Sequence, residues 1–568
     1  MVAPSPPVPP DTAAGHADRF APREWHPDEK PMLPGSPSTP RHPTWLRFAY
    51  LLVGTIVTLT GGLGNALVTV NLIPLQGSLG AYATESAWLP AAYVMANVSM
   101  NLLLVKFRQQ FGLRLFTEFF LVLYALVTFA HLFVNDLGSA IAVRAAHGMV
   151  GAALSTLGLY YTLQAFKKEW RQRGMIMALG VAQLALPIAY IFSTDLLQFG
   201  EWRGLYLFEL GLALLALGCV LMLKLPPSDH FRTFERLDFL TFALFSTGMA
   251  LLCAVLTFGR LLWWFETPWI GVALAGAIVL LGAAIFVEHN RARPLINTRW
   301  LASAGIARMG LSMILIRLVL SEQGTGAVGF LRAVGLGNDQ LQALFIIVLA
   351  GTIAGIVVSA LTFSPRHLAT PVVISLLLMA AGAWIDSQAT SLTRPQEMYA
   401  SQFLLAFGGT LFLGPSVVAL IGPVVANPGN LISFSVMFSL SQTLGGLIGS
   451  AALGTFQVVR EKFHSSQLIE HLSQLDPQVA GRVQAGAAAY GSLTTDPAAR
   501  SLRGLSALSA TATREANVLA YNDVFLLICV IALGTAAWIF AHAAWKHFNP
   551  SPPAAAPASA PAPAPVTD

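Results

Sequence analysis

Apolar residues fill this chain in long, nearly uninterrupted runs, and polar residues gather in the short stretches between them. Each run is about 20 residues long, the length a helix needs to cross a ~30 Å hydrocarbon core. A backbone in lipid has no water to satisfy its amides and carbonyls, so the runs are read as helices. Fourteen are expected, at roughly 47–74, 85–106, 114–134, 138–165, 173–197, 202–224, 238–259, 269–288, 303–331, 339–363, 369–387, 397–424, 430–458 and 521–546. The ninth and thirteenth are long enough to tilt or to extend beyond the bilayer. The predicted fold class is therefore an all-α membrane protein.

The ends differ from the middle. Residues 1–44 are polar and rich in proline, and 549–568 are a Pro/Ala repeat, so both read as disordered tails. No apolar core of a cleavable signal precedes the first run, which is expected to serve as its own insertion signal. The stretch 459–520 is polar, with apolar spacing at Leu468, Leu472, Leu475 and Val479 and a break at Asp476-Pro477. It reads as short amphipathic helices lying outside the bilayer.

Basic residues fix an expected orientation. With the N-terminus in the cytoplasm, nearly all loop bases fall on that side, among them Arg47, Lys106, Arg114, Lys167, Lys168, Arg291 and Arg293. Short loops on the other side hold only Arg203, Arg260, Arg332 and Arg394. This asymmetry is the positive-inside pattern and supports an even helix number with both termini cytoplasmic. It places 459–520 outside.

Composition agrees. Charged residues make up 11% of the 568 positions against 55% apolar ones, where a soluble domain carries about 25% charged residues. Mean hydropathy is +0.64. The net charge of +5 reflects membrane topology and gives no reason to expect nucleic acid. Cys219, Cys253 and Cys529 all lie inside apolar runs and form neither a disulfide framework nor a metal spacing. No Gly-x-x-x-x-Gly-Lys-Ser/Thr pattern is present, so ATP is not expected as the energy source. No enzyme, cofactor or metal chemistry is expected.

Several segments resemble the fourteen-helix drug:proton antiporter branch of the major facilitator superfamily, the EmrB/QacA type. The first helix carries "NALVTVNLIP" from Asn65 to Pro74, and the second loop "KFRQQFGLR" from Lys106 to Arg114. The fourth helix has "RAAHGMVGAA" from Arg144, the fifth "LPIAYIFS" around Pro187, and the thirteenth "SQTLGGLIGS" from Ser441. Their order and spacing run from about residue 45 to 546. The resemblance implies two six-helix bundles, at 45–227 and 294–546, with a two-helix insert at 238–288. It also implies proton-driven export of drugs or toxic amphipathic or aromatic compounds. In Gram-negative relatives, a periplasmic adaptor protein and an outer-membrane channel complete such a pump.

The departures from that pattern shape the candidates. The family's first-helix acid is Asn65 here, the acid of its second-loop motif is Gln109, and the arginine expected in the thirteenth helix is Gln442. Gly112, Arg114 and Pro187 remain as motif residues. An ionisable group inside a bilayer is costly, so each is a functional candidate. Arg144 matches the family's fourth-helix arginine. Glu322, with Arg317 five residues before it, lies deep in the ninth helix and is the best replacement for the lost proton carrier. Glu209 in the sixth helix is the next candidate. His147 reads as a packing residue, Glu118 as solvated, and the "GGLIG" patch at 445–449 as a close helix contact.

Three functions compete: a proton-coupled exporter, a uniporter or substrate exchanger of the same fold, and a non-transporting membrane sensor or scaffold. Expected partners are the bilayer, a small amphipathic substrate, the proton, the adaptor and the outer channel.

Overall fold

The computed structural model describes residues 35–365, 367–473 and 475–549, together with His26 and residues 29–31. The tail stretches 1–25 and 550–568 lie outside the described residues. Among the described residues fourteen helices are long and apolar enough to cross a membrane, and the protein is a multi-pass membrane protein. They are α1 (Thr44–Val70), α2 (Ala83–Phe111), α3 (Leu113–Phe133), α4 (Leu137–Gln164), α5 (Lys168–Phe199), α6 (Trp202–Met222), α7 (Arg236–Phe258), α8 (Pro268–His289), α9 (Ala304–Ala333), α10 (Asn338–Thr362), α11 (Ala369–Asp386), α12 (Pro395–Val424), α13 (Leu431–Glu470) and α14 (Pro497–Trp545).

Breaks in these helices have local causes. Gly112 ends α2 at a φ of 87°, in the left-handed region that a side chain disfavours. Within α5, a 3₁₀ turn at Ala182–Leu184 precedes Pro187, whose missing N–H leaves the Gln183 carbonyl without its helical donor. Between α5 and α6 the chain reverses tightly enough that a side chain on Gly204 would collide with the Leu196 carbonyl. In α9, a π-helical stretch covers Glu322–Ala327, a distortion frequent at functional positions.

α1–α6 form one bundle and α9–α14 the other, and α7 and α8 pair with each other between them. α7 packs on α2 and α13. α8 turns much of its apolar surface outward: Val272, Ile278 and Phe286 are exposed, as suits a lipid-facing helix. An ionic cluster ties the insert to the first bundle. Asp238 at the start of α7 meets Lys106 of α2 at 2.6 Å and Arg291 at 2.8 Å, and Arg291 also reaches Glu235 and Glu288. Burial works against the Arg291 charge, but hydrogen bonds to these three carboxylates hold it above the ordinary guanidinium range.

The two bundles meet at two ends of a seam. At the end bearing Val70, Tyr190 of α5 stacks on Phe345 of α10 with ring centroids 3.7 Å apart. There Asn338 and Arg332 donate to the Val70 carbonyl. The opposite, basic end carries a cavity described below.

Two features differ from the sequence reading. The helices at 430–458 and 521–546 continue beyond those bounds, as α13 to Glu470 and α14 from Pro497. Their polar extensions pair: Gln457 donates to Asn517 at 2.8 Å, and Asp523 takes both Arg460 and His464. The short helix Pro477–Ala489, capped by Asp476, folds back on α14, where Gly504 seats directly against Val483 and Ala487. The stretch 459–520 is thus a paired helical arm. Secondly, residues 35–43, assigned to a disordered tail, pack on the basic end. Ser36 and Ser38 are buried, the Ser38 amide donates to the Pro227 carbonyl, and Gln164 donates to the Ser38 carbonyl. Backbone hydrogen bonding to the bundle compensates here for the lack of an apolar core in the segment.

Candidate functional site

Three polar groupings lie inside the bundles, each built from residues far apart in sequence. The first surrounds Arg144. Asp136 caps α4 by accepting from the Ser139 amide at 2.9 Å, and Arg144 follows two turns later. That backbone hydrogen bond, with the Ser139 hydroxyl, holds the Asp136 carboxyl below its ordinary range. Arg144 is fully buried. Its guanidinium donates to the Gly64 carbonyl at 2.7 Å and to Asn65 Oδ1 at 3.0 Å, and lies over the Tyr93 ring at 4.6 Å.

Arg144 also lies 3.2 Å from His147 Nδ1. A guanidinium only donates, so Nδ1 accepts and the imidazole proton sits on Nε2. That nitrogen is 2.8 Å from Glu209 Oε1, off the line of a good hydrogen bond. Tyr124 donates to the same oxygen at 2.6 Å. Glu209, His147 and Arg144 are therefore one buried chain, with Glu209 the counter-charge that Asn65 does not provide. Gly64 makes room for it: a Cβ there would stand 2.5 Å from Glu209 and 2.8 Å from His147. His147, read from the sequence as packing, occupies the middle of this chain.

The second grouping is in the other bundle. Glu322, in the π-helical stretch of α9, is fully buried, and so is Asp386 at the end of α11. The Gln402 amide nitrogen of α12 donates to Asp386 at 2.9 Å and to both Glu322 oxygens at 3.1 and 3.2 Å. The two carboxyls also lie within hydrogen-bonding reach of each other, and Ser401 donates to Asp386. Among the described residues no cation pairs with either acid. Asp386 and Gln402 were not singled out in the sequence. The available signal was an acid in the last turn of the apolar run at 369–387.

The third is Arg317, which lies just before the α9 distortion that Glu322 opens and forms no ion pair with Glu322. It reaches the Gln442 carbonyl of α13 at 3.2 Å and Gln183 of α5 at 3.4 Å, so it spans the seam between bundles. No carboxylate among the described residues pairs with it. Its guanidinium thus stands beside Gln442, where the resembled branch has an arginine, while the buried Gln442 amide nitrogen lacks a partner. The close approach of α9 to α13 depends on the glycine patch: a Cβ on Gly445 would stand 2.9 Å from the Arg317 side chain.

The motif residues are placed separately. Gly112 makes the α2–α3 turn beneath His230. Arg114 pairs with Glu118 at 2.9 Å on an exposed surface, away from all three groupings. Pro187 is buried in the seam-facing helix α5.

No family model and no curated protein matches the chain. Solved structures do. The human organic anion transporter MFSD10 (TETRAN) is 12% identical, with a TM-score of 0.52 over 86% of this chain and 99% of that one. The major facilitator superfamily proton:xylose symporter XylE, bound to 6-bromo-6-deoxy-D-glucose, is 14% identical, with a TM-score of 0.51 over 88% and 96%. With two six-helix bundles, a two-helix insert and these neighbours, the chain has the major facilitator fold.

Proposed function

We propose that the protein is a proton-coupled secondary transporter of a bacterial inner membrane that exports amphipathic or aromatic small molecules. The basic end of the seam then faces the cytoplasm, and the α13–α14 arm faces the periplasm. The observation that carries the reading is the buried Glu322–Asp386 pair on one Gln402 amide. Adjacent anions repel strongly away from water, so a proton shared between them has a physical reason to be there. An α9 distortion at the same spot gives its gain and loss a way to act on helix shape. Glu209, His147 and Tyr124 supply a second proton-accepting chain in the other bundle, with Arg144 holding its geometry.

Arg317 supports a substrate position at the seam, since it touches both bundles and no acid among the described residues neutralises it. Transporter sites commonly lie between bundles near the bilayer midplane. The α13–α14 arm supports docking of a periplasmic adaptor, which with an outer-membrane channel would complete a tripartite pump. Ile469, Leu475 and Leu493 are exposed on the arm.

The test is reconstitution into vesicles with an imposed pH gradient and a fluorescent amphipathic dye. Wild type accumulates dye only with the gradient, while Glu322→Gln loses gradient-driven accumulation yet keeps dye binding. Normal gradient-driven transport by Glu322→Gln would remove the pair from coupling and leave Glu209 as the carrier. Asn65, which cannot release a proton, favours uniport or exchange as the alternative. Gradient-independent flux by wild type would establish it.

A further inference from the structure

The basic end of the seam holds a cavity of about 120 Å³ that none of the polar groupings above includes. Its floor is apolar, with Leu159, Met175 and Phe434 contributed by both bundles, and its roof is Ser36, Pro37 and Thr39 of the N-terminal segment. Two arginines line it, Arg108 of α2 and Arg171 at the start of α5, and no acid does. Arg108 is 2% exposed and lies over the Tyr160 ring at 4.8 Å.

Three buried polar atoms of this lining have no hydrogen-bond partner among the described residues: Arg108 Nε, Arg171 Nε and Thr39 Oγ1. The first two are donors only and the third is able to donate. A buried donor without an acceptor is left with the cost of its desolvation, and such atoms are rare enough in folded proteins that each calls for an explanation. All three belong to residues that line one cavity, and each lacks an acceptor. An oxyanion supplies it, because a guanidinium and a carboxylate match in geometry and in charge. Most of the remaining wall is apolar, interrupted by the polar side chains of Asn101, Thr156, Gln164 and Ser435, so the remainder of the ligand is largely apolar as well. An apolar protein cavity of about 150 Å³ accepts benzene, so this one, at about 120 Å³, admits no more than a single ring.

We propose that this cavity is a binding site for a single-ring aromatic carboxylate, with Arg108 and Arg171 on the carboxylate and residues 36–39 closing over it. The site itself stands on the cavity; its role as the cytoplasmic loading site of an exporter rests on the transport reading above.

The experiment is calorimetric titration of the purified full-length protein in a neutral detergent with sodium benzoate. Wild type binds benzoate, and neither benzamide nor inorganic phosphate competes. Arg108→Gln and Arg171→Gln each weaken binding at least tenfold. Should either variant fail to elute as a monodisperse protein, Ser435→Phe tests the same cavity by filling it, and abolishes binding. Absence of benzoate binding by folded wild type overturns the proposal. So does equal binding of benzamide, which would mark a merely apolar hole, and so does displacement by phosphate or by an anionic lipid at equal concentration. Binding unchanged in all folded variants overturns it too. If benzoate binds in this manner but is not moved by reconstituted vesicles, the site stands and its loading role falls. If dye transport proceeds and benzoate does not bind, the transport reading stands and the site falls.

Discussion

Glu322 and Asp386, on different helices of one bundle, meet on a single amide nitrogen, that of Gln402. That amide and the Ser401 hydroxyl on Asp386 are the side-chain donors the two buried carboxyls have among the described residues, which leaves most of their lone pairs unserved by protein. Whatever charge the two carry, they carry jointly, and a change at one is felt at the other.

Asp386→Asn should therefore reproduce the loss of gradient-driven transport caused by Glu322→Gln. The double variant should be no worse than either single one, because groups acting as a unit are non-additive. Vesicle uptake under a pH gradient gives the three rates. Losses that multiply would show two independent sites.

Gly64→Ala should damage the Arg144–His147–Glu209 chain without replacing any ionisable residue. The added methyl falls on Tyr124, Glu209 and His147 together. Overpacking of this kind costs about 1–3 kcal/mol, and the shift in thermal unfolding of the detergent-solubilised protein measures it. An unshifted melting temperature would mean that the chain is looser than its geometry.

Arg291→Ala should loosen the two-helix insert. It leaves Asp238 and Glu288, both buried, short of their shared cation. Removing one partner of a buried ion cluster typically costs about 3–5 kcal/mol. Limited proteolysis of the segment joining α6 to α7 should accelerate, and Arg291→Lys should restore part of the protection.

The N-terminal segment should open when Gly35 is replaced. Gly35 has a φ of 73°, and a Cβ there would stand 2.7 Å from Gln109. In Gly35→Val, a cysteine placed at the buried Ser38 should react with a water-soluble maleimide several-fold faster than in the parent. Equal rates would mean that Gly35 does not hold the segment down.

The Asp136 cap predicts a pH effect of definite sign. Its carboxyl is lowered from an ordinary value of 3.8 by the Ser139 backbone and side-chain hydrogen bonds. A group lowered on folding stabilises the folded state above its unfolded value, and this is lost as pH falls through the folded value. Below about pH 4, wild type should lose stability relative to Asp136→Ala, and the two should converge. Melting temperatures from pH 3 to 7 check this, and a constant difference would refute it.

The sequence by itself determined the membrane character and the positions of fourteen spanning helices. Helix length against bilayer thickness and the cost of charge in lipid are local properties, readable from consecutive residues. The same cost marked Arg144, Glu209, Glu322 and Arg317 one by one. Only the tertiary structure decided which of them meet. The rotation of each helix about its axis is set by side-chain packing against its neighbours, and that rotation brings His147 between Arg144 and Glu209, Asp386 to Glu322, and Arg317 to Gln442 and Gln183. The packed stretch 35–43 and the paired arm were beyond composition for a related reason. A proline-rich or polar segment has too little apolar surface to fold alone, and it is the bundle surface or a partner helix that supplies the missing contacts.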